Sequence, residues 1–516
     1  MRKATIALLT AILTVYFINI GQSQRSYDPK SVEVTRWLDP TTSPITYNEY
    51  NSSHQFAEAG NFQLLRSPAA TTDIMIDIIV NQNLYPYIED VLDTFLFDLS
   101  LDGYGVNLYT GLPTISPTET RTLLSDDWQM YEIEGVILIG DLAVPWYEMD
   151  EPPDWGGAYV QFPIDLYFMD LDGIWIDSDN NGLFDDHGGA TMLADIWCGR
   201  LITSNLSYHG VTEVSALRNY FAKNHAYRAG ELRLNDRALA FIDNDWHTYN
   251  WEMDVSRAYP FTDPVTDIYE TCRDNYINMV REATDNQYEH VLICSHSSPT
   301  SHYLFYDMDN YQQFYNYEID DYDMQALGFN LFACSNARYV ENNNMGAWYI
   351  FQNDYGLISV GSSKTGSMLC FDDFYQALAA EASYGQAFLT WAQMDIETCA
   401  DDISRPWFYG MCLQGDPTIR LSRYQPPLEY CNYTPGDING DGTVIGSDVT
   451  YGVQYFRGVG MPPPDSCWDI LTSNWIYVSA DVNGSCNFLG SDITYLVRYF
   501  RGEHDSLLHC PRFPEP

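Results

Sequence analysis

Two rhythms of apolar residues alternate from about Thr72 to Leu421. Uninterrupted apolar runs of four to eight residues read as strands buried on both faces, and three-to-four spacing reads as helices with one apolar stripe. Ile74–Val80 is the first such run, and Tyr85–Leu99 carries the helical spacing. A turn at Asp102-Gly103 leads to a strand over Tyr104–Tyr109, and Glu134–Asp141 is a third. The pattern resumes at about Leu232 with Ala238–Ile242, His290–Cys294, Gly328–Ala333 and Gly356–Val360. This alternation predicts an α/β fold with a largely parallel sheet covered by helices. Groups that do chemistry gather just past the C-terminal ends of parallel strands. Asp243, His296, Cys334 and the turn Gly361-Ser362-Ser363 all stand there.

The two ends of the chain read differently. Arg2 and Lys3 precede an apolar run from Ala4 to Ile20, and Gly21 and Ser23 are small, the pattern of a secretory signal peptide spanning 1–23. The expected location is therefore secreted or extracellular, including attachment to a cell surface. Residues 24–71 are polar, without a clear period, and are expected to be an N-terminal segment or propeptide. Past Tyr424-Gln425-Pro426-Pro427 the composition shifts, and 423–516 is expected to be a separate small domain. The net charge of -46 excludes nucleic acid and anionic membrane surfaces as partners, since both would repel it. Forty Tyr and 13 Trp exclude a disordered chain.

Outside the cytoplasm the 11 cysteines can form disulfides. Cys431, Cys467, Cys486 and Cys510 can pair among themselves in three ways, and the seven upstream leave at least one thiol over unless a bridge crosses domains or chains.

Much of the acidity lies in Asp/Asn/Gly loops. Gly446–Gly458 recurs 44 residues later as Gly490–Gly502 with ten of thirteen positions identical, and each copy reads as a short amphipathic helix behind an acidic loop. In the first loop Asp437, Asn439, Asp441, Thr443 and Asp448 hold places 1, 3, 5, 7 and 12 of a calcium-binding loop, with Gly442 at the sharp turn. Asp481, Asn483, Ser485, Asn487 and Asp492 hold those places in the second, where Cys486 replaces the glycine. A third candidate, Asp177, Asp179, Asn181 and Asp185, spaces oxygen ligands about a turn at Gly182. Calcium is the expected cofactor.

The C-terminal pair of loop–helix repeats resembles a type I dockerin. That resemblance implies calcium-dependent docking to a cohesin-like protein through Gly446 and Ser447 or Gly490 and Ser491. The four cysteines and the insert Gly458–Ala480 depart from the dockerin pattern.

A cysteine nucleophile needs a histidine to take its proton and a carboxylate or carbonyl to orient that ring. Cys334 and His296 end two apolar strands and meet this need; His302 is expected in a loop, and Cys294 in the core. The stretch from His296 through Ala333-Cys334-Ser-Asn-Ala-Arg-Tyr to Leu357-Ile-Ser-Val-Gly-Ser-Ser363 is similar to the gingipain-type branch of the caspase-like cysteine peptidases. So are Leu138-Ile-Gly-Asp141, Pro163-Ile-Asp165, Gly199-Arg200 and Gly415-Asp416-Pro417-Thr418.

This resemblance, over about residues 72–422, implies two caspase-like α/β subdomains, 72–230 and 231–422, and hydrolysis of a protein or peptide substrate. It implies Cys334 as nucleophile, His296 as general base and acid, and Asp243, or else Asp245, as the group orienting His296. The backbone N–H groups of Cys334 and Ser297 would form the oxyanion hole. Ser297 stands where the family carries glycine, so an inactive relative that binds or scaffolds is one alternative. A dockerin-bearing enzyme acting on polysaccharide through paired carboxylates is another.

Overall fold

The computed structural model describes residues 42–53, 61–68, 72, 74–153, 157–189, 192–243, 245–266, 287–305, 311–394, 405–425, 433–469, 474–510 and 513. The expected signal peptide and Cys272, Cys399 and Cys431 lie outside them.

In chain order the strands are β1 (Gln63–Arg66), β2 (Ile74–Asn81), β3 (Tyr104–Gly111), β4 (Gly135–Ile139), β5 (Trp146–Asp150), β6 (Tyr159–Pro163), β7 (Ile174–Ile176), β8 (Asp186–Gly188) and β9 (Trp197–Leu201). The second half supplies β10 (Ala238–Ile242), β11 (Thr262–Thr266), β12 (His290–Cys294), β13 (His296–Ser298), β14 (Ser301–Phe305), β15 (Tyr311–Tyr315), β16 (Gly328–Phe332), β17 (Ile358–Ser362) and β18 (Met411–Gly415). The C-terminal region adds β19 (Cys467–Asp469) and β20 (Asn474–Ile476).

Eleven of these form one sheet in the order β1-β3-β2-β4-β9-β18-β17-β16-β12-β10-β11. The two expected units therefore share one sheet instead of holding separate ones. The strand that joins them is β18, parallel to β9 on one side and antiparallel to β17 on the other. Apart from that seam and the edge strand β1, neighbours in this sheet run parallel. Inside the sheet, between the edge strands β1 and β11, side chains are almost wholly buried, as continuous apolar runs require.

Local signals set the helices. Ser116 caps the helix Pro117–Tyr131 through a reciprocal box with Glu119. The helix Tyr85–Leu101 has Pro86 in its first turn and buries Ile88, Leu92, Phe95, Leu96 and Leu99 against the helix Glu213–Ala229 and the sheet. Its other side reaches the C-terminal domain, where Phe97 meets Phe513 with ring centroids 4.8 Å apart. In that domain the helices Gly446–Phe456 and Gly490–Phe500 pack on each other around Ile438, Ala480, Val482, Ile493 and Leu496. The insert between them carries the hairpin β19–β20, so this domain is not helical throughout. Cys486 is bonded to Cys510, and Cys370 and Cys467 are also in disulfides.

Two close approaches fix the seam. Gly415 has φ +115, and a Cβ there would lie 2.2 Å from the Leu357 carbonyl oxygen. A Cβ on Gly199 would lie 2.4 Å from the Pro417 ring. Beside them, the buried Asp416 accepts from Arg228 Nη2 (2.7 Å), Asn224 Nδ2 (2.8 Å) and the Thr418 N–H (2.9 Å).

His290, at the start of β12, lies between the Tyr384 hydroxyl (3.0 Å from Nδ1) and the Tyr375 hydroxyl (3.1 Å from Nε2). Burial lowers its pKa to about 3. The unfolded chain takes up this proton near pH 6.5 and the folded chain does not, so stability present above about pH 6.5 is lost as pH falls. His290 alone should cost ~2 kcal/mol at pH 5 relative to pH 7. Denaturant unfolding at the two pH values should show the loss, and His290→Gln should show a correspondingly smaller one.

Candidate active site

Three adjacent parallel strands deliver the candidate residues side by side. The β10–β12–β16 register aligns Ile242 with Cys294 and Cys294 with Phe332. The ladder continues one step further, with Asp243 N–H donating to Cys294 C=O (3.0 Å) and Ser295 N–H to Phe332 C=O (3.1 Å). His296, which opens β13, and Cys334 each stand two residues past the ends of β12 and β16, and Asp245 stands three past the end of β10.

His296 is buried, its ring against Trp246 (centroids 4.6 Å apart) and edge-on to Phe305 (5.3 Å). Its Nε2 lies 2.8 Å from Asp245 Oδ2. The described carboxylate contact to the imidazole is therefore from Asp245, the second of the two expected candidates, and not from Asp243. The reason is backbone geometry. Asp243 still belongs to the ladder through its N–H, and its carboxylate is buried close enough to raise the Cys294 thiol pKa. The turn that reaches over His296 begins after it.

Cys334 is a free, partly exposed thiol, whereas Cys198, Cys294 and Cys412 are free and buried. The turn after it is tight: Ser335 adopts φ +59, a conformation uncommon for a residue with a side chain. Two backbone bonds hold that turn to the end of β17, from Ser335 N–H to Lys364 C=O (2.9 Å) and from Ala337 N–H to Ser362 C=O (3.1 Å). Burial pushes the Cys334 thiol pKa up. A hydrogen bond from the Gly366 backbone and the Lys364 ammonium act against it, and the Glu151 carboxylate reinforces it.

Ser297 does not project a loose hydroxyl toward this site. Its Oγ lies 2.5 Å from His302 Nδ1, and Ser295 Oγ lies 2.9 Å from the same nitrogen. His302 Nε2 is 2.9 Å from the Tyr349 hydroxyl. Contrary to expectation, His302 is in β14 and not in a loop, paired opposite Ser297, fully buried, with its pKa lowered to about 3 by burial. The two serines flanking His296 thus share one neutral imidazole. A histidine five residues after a His-Ser pair, at the register of a two-residue hairpin, was the available signal for this clamp.

The acidic loops fold around carboxylates that accept backbone N–H groups. Between β7 and β8, Asp177 accepts from the N–H groups of Asn181 (3.1 Å) and Gly182 (2.9 Å). Carboxylate oxygens of Glu148, Asp179 and Asp185 lie within 4.8 Å of one another. Glu148 comes from β5, far from the loop in sequence, and joins it through Asn181 Nδ2 (2.8 Å). In the C-terminal repeats Asp437 accepts from the N–H groups of Asp441 and Gly442, and Asp481 from Ser485 and Cys486. Asp448 accepts from Asn439 and Ile445, and Asp492 from Asn483 and Leu489. Burial, with Asp492 nearby, pushes Asp481 up to about 6.

No curated protein matches the chain at a significant level. Among solved structures, one described as "Structure of Protease" shares 11% identity over 69% of this chain and 80% of its own, with a TM-score of 0.46. A transcriptional activator of the comK gene from Bacillus halodurans (11% identity, 59% and 81%, TM-score 0.15) also overlaps it. So does an ABC transporter solute-binding protein from Conexibacter woesei DSM 14684 (10%, 66% and 87%, 0.16). None of these overlaps is close enough to assign a fold. The sequence profile of peptidase family C25 matches residues 106–422, which take in β4 to β18 and with them Asp245, His296 and Cys334. The chain belongs to peptidase family C25, the gingipain-type cysteine peptidases.

Proposed function

We propose that this cysteine peptidase is a secreted endopeptidase in which Cys334 is the nucleophile, His296 its base and acid, and Asp245 the group that orients His296. The observation that carries the reading is the row of three neighbouring strand ends in one parallel register, with Nε2 of His296 on Asp245. The carboxylate fixes the ring and stabilises it when protonated, so the thiol proton passes to Nδ1. The thiolate then attacks the substrate carbonyl. His296 returns the proton to the leaving amine, and water hydrolyses the acyl-enzyme. The N–H groups of Cys334 and Ser297 would receive the oxyanion. Support for the second comes from the Ser297 side chain, which is tied back to His302.

Calcium would be held by Asp177, Asp179, Asn181 and Asp185, with Glu148 added, and by the two C-terminal loops. It would supply the positive charge that converging carboxylates require. Exposed apolar residues recur at equivalent places in the two C-terminal repeats: Ile445 and Leu489, Val453 and Val497, Phe456 and Phe500. This repetition supports a dockerin-like module with two equivalent faces for a cohesin-like protein. Among the described residues no helix is long and apolar enough to cross a membrane.

Cys334→Ala should abolish cleavage of a peptide library, because the acyl-enzyme cannot form. His296→Ala should lower kcat by about 10²–10⁴-fold, and Asp245→Asn by less, since it only orients the ring. Full activity in Cys334→Ala would sink the assignment. Ser297→Gly should lower turnover, because it releases one side of the clamp; a rise would show that the hydroxyl obstructs the oxyanion site.

Thermal unfolding of the full chain should shift upward with calcium relative to chelator, by about 2.7 kcal/mol for each site when calcium is 100-fold above its Kd. Asp437→Ala should erase more of that shift than Ser485→Ala. An identical transition in calcium and chelator would remove calcium from the account.

A further inference from the structure

A cavity of about 350 Å³ opens beside the nucleophile, lined in part by Glu151, Tyr159, Ser335, Arg338, Lys364 and Thr365. Ser335 follows Cys334 directly, and its N–H donates to the Lys364 carbonyl (2.9 Å), so two lining residues border the turn that carries the sulfur. Two of its charged groups face each other: Lys364 Nζ lies 3.6 Å from Glu151 Oε1, and both side chains are almost completely buried. Lys364 is further held by the Thr365 carbonyl and lies near the faces of Phe162 and Trp407.

The third charged group is committed elsewhere. Arg338 donates to the carbonyls of Ser363 (3.1 Å), Gln161 (3.0 Å) and Ile45 (2.9 Å) and pairs with Glu341 (3.0 Å). It is built into the wall.

We propose that the Lys364–Glu151 pair is a charge filter, so that the peptidase accepts an uncharged side chain on the residue whose carbonyl Cys334 attacks. This rests on Cys334 being the nucleophile, as proposed above. The attacked carbonyl sits on Sγ, so the side chain of that residue is the one nearest the cavity that Ser335 and Lys364 line. Each charge of the pair already faces its opposite, so an incoming Arg or Lys, or an incoming Asp or Glu, would shed its water beside a like charge and a counter-charge that is already paired, where screening is weak. An uncharged side chain leaves the pair intact.

The test is labelling of Cys334 in the full-length protein by peptidyl chloromethyl ketones that differ only in the residue next to the reactive group: Gln, Arg or Asp. The thiolate displaces chloride and forms a thioether, which intact-mass and peptide mass spectrometry read without requiring turnover. The wild-type protein should label at least 10-fold faster with Gln than with Arg or Asp. Lys364→Met, which leaves Glu151 facing the cavity, should raise the Arg rate at least 10-fold relative to Gln. Glu151→Gln should do the same for Asp, so a folding failure in one variant leaves the other informative.

Fastest wild-type labelling by Arg or Asp, or a ranking unmoved by both substitutions, overturns the filter. Labelling of Cys334 by none of the three overturns it together with the nucleophile. Selective labelling without any peptide cleavage leaves the filter standing and removes the endopeptidase reading.

Discussion

The architecture depends on the insertion of β18 between β9 and β17. This strand, close to the end of the catalytic unit, turns two separately wound halves into one sheet, because it is parallel to its neighbour in the first and antiparallel to its neighbour in the second. The seam tolerates almost no added volume at Gly199 and Gly415. Buried ion pairs lie on either side of it: Asp416 with Arg228, and Asp165 with Arg200 at 2.7 Å. Tyr339, five residues past Cys334, donates to the same Asp165 at 2.7 Å and so ties the Cys334 loop to the first half. Such pairs add little net stability over a well-packed apolar substitute, but losing one partner strands a buried charge at a cost of ~3–5 kcal/mol. Their effect is to fix which strands meet.

Given that sheet, the site follows from register. Parallel neighbours end on the same side, so three loops of different origin arrive together at one edge. The spacing of Cys334 and His296 in sequence is then incidental; what matters is that each stands two residues past aligned strand ends. The next strand over, β17, closes the arrangement by holding the turn after Cys334 and by leading into Lys364, two residues past its end. One sheet edge thus brings Cys334, His296, Asp245 and one wall of the cavity lined by Ser335 and Lys364 to the same place.

The strands were legible because a run buried on both faces leaves a continuous apolar signature. Ala238–Ile242 and His290–Cys294 coincide with the expected runs, and Gly328–Phe332 differs by one residue. The single sheet was not legible, since the pairing of β18 with β9 joins segments two hundred residues apart with no local signal. Asp243 looked the better partner for His296 because it comes first after its strand, and only the backbone bond of its N–H shows that the turn starts later. Glu148 and Glu151 lie on or beside a strand that reaches its partners through the fold, so nothing nearby in sequence marks them. The acidic C-terminal loops stand out in the sequence because their Asp and Asn residues are close together along the chain.

The place where the chain departs from its family's pattern shows how such departures are accommodated. Ser297 adds a polar side chain next to His296, where an unbonded hydroxyl would be costly in a buried site. The structure answers with His302, whose ring takes both Ser295 and Ser297 and passes its other nitrogen to Tyr349. Burial keeps that ring uncharged. In a chain with glycine at 297, His302 would lose one of these partners. The serine and the histidine are therefore best understood as one feature, and the substitution at 297 cannot be weighed without the residue that receives it.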